Sequence, residues 1–158
     1  MFCLFSNILI CGLEDLNLLN ISNFTYIINC STKLNNCIVD PNYINLNIET
    51  INYSCINLLN QVYNWLEQNI QNKIIILDET GLDNGMYLCI FILMKFSNKS
   101  FEDVYNELVK LTKINNKNDY ISLEYFENHI INKKYFNYYK NNSLFTKIKN
   151  DSNAMDIG

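Results

Sequence analysis

The apolar positions of this chain change their pattern most sharply at Lys73–Lys95, KIIILDETGLDNGMYLCIFILMK. Ile74, Ile75, Ile76 and Leu77 form a short unbroken run of β-formers. Such a run, followed by turn residues, reads as a strand buried on both faces. A compact polar loop follows, Asp78-Glu79-Thr80-Gly81-Leu82-Asp83-Asn84-Gly85, and then Met86 to Phe96 is apolar nearly all round. That second segment predicts a helix at the centre of the domain. A strand, a tight loop and a buried helix together place whatever the loop carries at a helix N-terminus.

The flanking pattern predicts the remaining elements. Phe2–Phe5 and Ile8–Cys11 read as two short strands with a turn at Ser6-Asn7, and Gly12 ends the second. Leu13, Leu16 and Leu19 have helical spacing, with Glu14 and Asp15 in the first turn, where the helix dipole favours acids. Thr25–Cys30 and Tyr43–Ile48 read as strands, separated by a polar loop at Ser31–Pro41 that holds the single proline. Ile51–Asn69 predicts an amphipathic helix, with Ile56, Leu59, Val62, Tyr63, Leu66 and Ile70 on one face. Helix followed directly by the Ile74–Leu77 strand completes a right-handed crossover. Ser100, with Asp103 three residues on, reads as the N-cap of a helix over Phe101–Thr112 that presents Val104, Tyr105, Leu108 and Leu111. Ile114–Asp119 is a polar linker, and Ser122–Tyr139 is aromatic and in part helical. The expected fold is α/β, a central mixed but mostly parallel sheet flanked by helices. One domain spans 1–140 and a polar tail 141–158.

Composition narrows the function classes. At 158 residues, 49% hydrophobic and 18% charged, the chain is long and apolar enough to bury a core. A net charge of −4 argues against nucleic acid or an anionic membrane surface as partner. All twelve basic residues are lysines, so the planar, bidentate phosphate recognition that arginine provides is missing. The six cysteines, Cys3, Cys11, Cys30, Cys37, Cys55 and Cys89, form no CxxC pair, and the N-terminus lacks the charged region of a signal peptide. They read as reduced thiols in an intracellular, cytoplasmic protein. No apolar run reaches the length of a membrane span. His129 is the single histidine and reads as a surface residue, Trp65 as core, and Cys89 as packing within the buried helix. Tyr135, Phe136, Tyr138 and Tyr139 read as an aromatic cluster that closes the core.

Several local segments resemble the dual-specificity protein phosphatases, over about residues 4 to 131. Ile8–Gly12 with Glu14 is similar to the family's early strand-then-glycine segment. Tyr26-Ile27-Ile28-Asn29-Cys30-Ser31 resembles its hydrophobic strand ending in Asn and Ser, and Tyr43–Glu49 the strand before its general acid. Ile92-Leu93-Met94, followed by Ser100, Glu102-Asp103 and Val109-Lys110, resembles the two helices after its catalytic loop. The family signature is His-Cys, two residues, Gly, two residues, Arg, then Ser or Thr. Anchored on Gly81, it puts Asp78 at the nucleophile position, Leu77 at the histidine, Asn84 at the arginine and Gly85 at the hydroxyl. The general-acid position falls near Thr50, beside Glu49. Only the glycine survives. A cysteine phosphatase needs a thiolate stabilised by a helix N-terminus, and an arginine to hold a dianion. Asp78 is instead suited to cap the helix or the loop N–H groups as a built-in anion.

The resemblance therefore implies an inactive member, a pseudophosphatase acting through protein contacts, without cofactor or metal. A protein partner is expected, with a second copy of the chain (a homodimer) as one form. The alternatives are a phosphopeptide-binding module without catalysis and an active phosphatase with an unusual site. Composition and size are similar to virus-encoded members such as those of poxviruses, which would add a virion-associated location. Other motifs fit less well. Four apolar residues before Asp78-Glu79 match a Walker B strand, but no phosphate loop of the GxxxxGK[ST] type occurs. Asp78 resembles the haloacid-dehalogenase nucleophile, yet Thr80 stands where that motif needs its second Asp. Asp78, Glu79 and Asp83 could offer oxygens to a hard cation, against the simpler reading of solvated acids and an N-terminal cap.

Overall fold

The computed structural model describes residues 1–31, 43–45 and 55–132. Among the described residues, five strands form one sheet: β1 (Phe2–Leu4), β2 (Ile8–Gly12), β3 (Tyr26–Asn29), β4 (Tyr43–Asn45) and β5 (Ile74–Asp78), in the order β1-β2-β5-β3-β4. β1 pairs antiparallel with β2, and every other pairing is parallel, as the sequence pattern leads one to expect. The α-helices are α1 (Cys55–Gln68), α2 (Asn84–Ser97), α3 (Phe101–Leu111), α4 (Ser122–Tyr125) and α5 (Glu127–Ile130).

β5 lies at the centre because it is apolar on both sides. Ile74 and Ile76 point into a large cluster with Ile8, Ile10 and Ile28, roofed by α1, α2 and α3. Ile75 and Leu77 point the other way, against Leu9, Cys11, Phe24 and Ile27. The alternation is the two-residue period of a strand. Met86–Met94 of α2 are all buried, so this helix is apolar all round because it has neighbours all round. α3 is amphipathic, burying Phe101, Val104 and Leu108, while Tyr105 and Leu111 pack half-buried against the same cluster. Its N-terminus is capped by Ser100 Oγ, which accepts from Asp103 N at 3.1 Å. The carboxylate at that end comes from Glu127 of α5, whose Oε1 accepts from Phe101 N at 2.7 Å.

Several boundaries depart from the periodic reading. Leu13–Leu18 is a 3-10 segment rather than an α-helix, and Asp15 Oδ2 turns back at its start to accept from Gly12 N at 3.1 Å. Leu16 and Leu19 are half-buried beneath the sheet, whereas Leu13 and Leu18 are exposed. Ile70 lies beyond the end of α1 and is 42% exposed, so it leaves the apolar face on which its spacing placed it. Phe96, in the last turn of α2 at the end of the buried run, is 45% exposed. Trp65 is half-buried and meets Tyr26 edge-on at 4.9 Å between ring centroids. Part of the polar linker, Lys117–Tyr120, is a 3-10 turn that buries Tyr120. The turn between β1 and β2 holds Phe5 and Ser6 at φ 57° and 67°. Left-handed backbone at such residues is strained, and Asn7 holds the turn in place: its Nδ2 donates to the Ile70 and Asn72 carbonyls at 2.9 and 2.8 Å. Cys37, Thr50, Glu49, the aromatic cluster Tyr135–Tyr139 and the tail 141–158 lie outside the described residues, as does most of the Ser31–Pro41 loop.

Candidate functional site

β5 ends at Asp78, between the carboxyl ends of two parallel neighbours, the crevice where open α/β sheets hold their ligands. In register, Gly12 of β2 faces Asp78, while Cys11 and Asn29 flank Leu77. The chain then folds the loop tightly over the end of β2. Leu13 N donates to Glu79 O at 3.1 Å, and Gly12 pairs with Thr80. A Cβ on Gly12 would lie 2.6 Å from the Thr80 carbonyl carbon. Gly81 has φ +80°, and a Cβ there would lie 2.8 Å from the backbone of Cys11 and Gly12. Two glycines therefore allow two backbones to touch, which no side-chain-bearing residue at either position would permit.

The loop is wrapped around the Asp78 carboxylate. Oδ1 accepts from Thr80 N at 3.0 Å and, in a very short contact, from Gly81 N. Oδ2 accepts from Asp83 N at 3.2 Å and from Gly85 N at 2.7 Å. Four backbone donors thus converge on one fully buried side chain. Gly85 allows this approach: a Cβ there would stand 3.0 Å from Oδ2. Both oxygens act purely as acceptors, a requirement that a carboxylate meets and a carboxylic acid does not. The site is nonetheless costly for a charge. Burial pushes the Asp78 carboxyl above its ordinary value and the nearby Asp83 adds to this, against the N–H groups of Gly85, Gly81 and Thr80, which pull it down.

The other loop side chains face away from this centre. Thr80 Oγ1 donates to Asp83 Oδ2 at 3.0 Å and accepts from Leu82 N at 3.1 Å. Glu79 Oε1 accepts from Ser31 Oγ. Asn84, at the position aligned with the signature arginine, donates through Nδ2 to Cys30 O at 3.0 Å and ties α2 to the end of β3. The three carboxylates thus turn to three different partners. Among the described residues, no group of three or more His, Cys, Asp or Glu is placed to hold a metal ion.

Periodicity placed Tyr105 on the inner face of its helix but gave no signal for Asn115 and Tyr120, which brace the loop from outside. Tyr120 Oη and Asn115 Nδ2 both donate to Leu82 O, the latter at 3.1 Å, and Tyr105 Oη donates to Asn115 O at 2.7 Å. These reach back from α3 and the linker after it, too far along the chain for any local pattern to reveal. Lys113 lines a cavity of about 240 Å³ beside Thr80, Gly81 and Leu82, together with Met1 and Met86.

The thiols of the region are poor nucleophiles. Burial, with help from the negative charges of Asp15 and Asp78, pushes Cys11 up to about 12. Burial likewise raises Cys30, to which Asp78 adds, and Cys89, packed inside α2. None of Cys3, Cys11, Cys30, Cys55 and Cys89 is in a disulfide. His129 lies exposed in α5, and Thr50 lies outside the described residues.

No protein-family model and no curated protein matches the chain. Solved structures do. DUSP15 superposes with a TM-score of 0.60 at 14% identity, over 92% of this chain and 92% of that one. The PTP-2 phosphatase of Cydia pomonella gives 0.58 at 12% identity, over 74% and 83%. A leucine-rich-repeat and phosphatase-domain protein of Entamoeba histolytica gives 0.56 at 16%, over 78% and 88%. The chain therefore has the fold of the dual-specificity and tyrosine protein phosphatases. No described helix is long and apolar enough to cross a membrane.

Two predictions follow from this geometry. Asp78→Ala leaves four inward-facing N–H groups without their acceptor and should lower the urea-unfolding free energy by about 2–4 kcal/mol. Asp78→Asn should recover only part of this, because its NH₂ would face one of the two donor pairs. Equal stability of the three proteins would show that the carboxylate does not organise the loop. Second, a rise from 9.0 to about 12 leaves Cys11 with about a thousandfold less thiolate at mildly alkaline pH. Mass spectrometry after iodoacetamide at pH 8 should find half-exposed Cys55 alkylated in the native protein and Cys11, Cys30 and Cys89 alkylated only in urea.

Proposed function

We propose that this chain is a pseudophosphatase: a phosphatase-like domain that does not hydrolyse phosphate esters and acts through contacts with a protein partner. The observation that supports this most directly is the Asp78 carboxylate, which takes up the four N–H donors that a bound oxyanion would need. An incoming phosphate meets a side chain that already fills the cradle with like charge. At about 4 Å and an effective dielectric near 20, each pair of unit charges repels by roughly 4 kcal/mol. A helix N-terminus returns at most about 1–2 kcal/mol. The chain holds no arginine to tip that balance, and the cysteines next to the loop are protonated, buried thiols rather than nucleophiles.

Hydrolysis of p-nitrophenyl phosphate and of phosphotyrosine, phosphoserine and phosphothreonine peptides should not rise above the uncatalysed rate. Turnover that disappears in Asp78→Ala would overturn the proposal. Tighter binding of a phosphopeptide than of its unphosphorylated form would turn the reading towards a recognition module. The same occupancy gives a positive signal. In Asp78→Ala, inorganic phosphate at about ten times its dissociation constant should raise the melting temperature by about 3–6 °C, while the wild-type protein does not respond. A wild-type protein stabilised by phosphate as strongly as the variant would rule out the carboxylate as the occupant.

A further inference from the structure

The turn between β1 and β2, the end of α1 and the last turn of α2 enclose an apolar groove of about 300 Å³ on the edge of the domain. Its walls are Phe5, Tyr63, Leu66, Ile70 and Phe96, with Ile8 and Ile92 at its floor. Phe96 and Ile70 are 45% and 42% exposed, a large apolar surface to leave to water. Phe5 is held against Phe96, ring centroids 4.7 Å apart, by left-handed backbone at φ 57°. Glu67 is the one charged residue on the lining.

The described chain ends at the C-terminal end of α2, the helix that supplies one wall of this groove. Asn98, the left-handed C-cap of α2, clasps Asn132: its Nδ2 donates to Asn132 O at 2.5 Å, and its Oδ1 accepts from Asn132 N at 2.6 Å. Ile130 and Ile131 are buried just before it. Residue 132 is thereby fixed at the C-terminal end of α2, whose last turn carries Phe96 on a different face from Asn98. The next residues are Lys133-Lys134-Tyr135-Phe136-Asn137-Tyr138-Tyr139-Lys140, four aromatics flanked by lysines. At about 3.3–3.6 Å per extended residue, residues 133–139 span up to about 23–25 Å, more than the roughly 10–12 Å width of the helix they must round to reach the groove. The lysines match the charge of Glu67, and the aromatics match the apolar walls.

We propose that this groove is the docking site of the chain's own segment Tyr135–Tyr139. The inference is independent of the pseudophosphatase reading, since it involves neither the loop nor phosphate. In the full-length protein, Phe96 is replaced by p-benzoylphenylalanine, illuminated, digested and mapped by mass spectrometry. Cross-links within one molecule to peptides containing residues 133–140 are expected, besides those to Phe5. Cross-links confined to the Phe5 turn and α1, or a covalent dimer as the main product, would overturn the proposal; the dimer would assign the groove to a second copy. As an independent readout, the full-length double variant Phe136→Ser, Tyr138→Ser should bind anilinonaphthalene sulfonate with several-fold higher fluorescence than the wild type. Unchanged fluorescence would overturn it equally.

Discussion

The loop at the top of this domain depends on one buried negative charge and the backbone dipoles around it. Four N–H groups that point to a common centre repel each other unless an acceptor stands there. Asp78 supplies that acceptor from within the chain, with Oδ1 serving the first half of the loop and Oδ2 the start of α2. The groups to be satisfied and the group that satisfies them are separated by only a few residues, so the interaction carries little of the entropic cost of recruiting an ion from solution. The same closeness makes it hard to displace. A ligand competing for those donors must expel a tethered carboxylate, and a carboxylate so expelled would remain beside it.

Around this centre the structure is built by close approach rather than by bulk. Gly12 and Gly81 let β2 and the loop touch, and Gly85 lets α2 begin directly over the carboxylate. The polar side chains of the loop complete the arrangement by turning outward, Glu79 to Ser31, Thr80 to Asp83 and Asn84 to Cys30. Tyr120 and Asn115 hold the outer surface through Leu82. Each of these contacts restrains the backbone, and none supplies a positive charge to the cradle.

The parts legible in the sequence are those governed by local periodicity. Ile74–Leu77 and Met86–Met94 announce a doubly buried strand and a buried helix because their neighbours are apolar on every side, and the loop between them is bounded by the change of pattern. The spacing of Ile56, Leu59, Val62, Tyr63 and Leu66 gives α1 by the same logic. Where spacing misled, tertiary context had intervened. Ile70 and Phe96 continue apolar stripes yet stand 42% and 45% exposed, and Leu13–Leu18 is a 3-10 segment rather than the α-helix its spacing suggests. At the site, the sequence marks Asp78 as the residue that closes the strand and Gly81 as the pivot of the turn. It is silent on Tyr120 and Asn115, whose contributions come from single polar atoms delivered across long stretches of chain, a relation that no period records.

The sheet order carries a consequence for how the molecule comes into being. β2 is complete at Gly12 and β3 at Asn29, yet the strand that joins them starts at Ile74. As the polypeptide leaves the ribosome, two strongly apolar ribbons emerge long before their shared partner exists. Closing such separated pairings is slow, and open strand edges attract their like. A nascent chain of this topology therefore keeps the facing edges of β2 and β3 unpaired until β5 arrives.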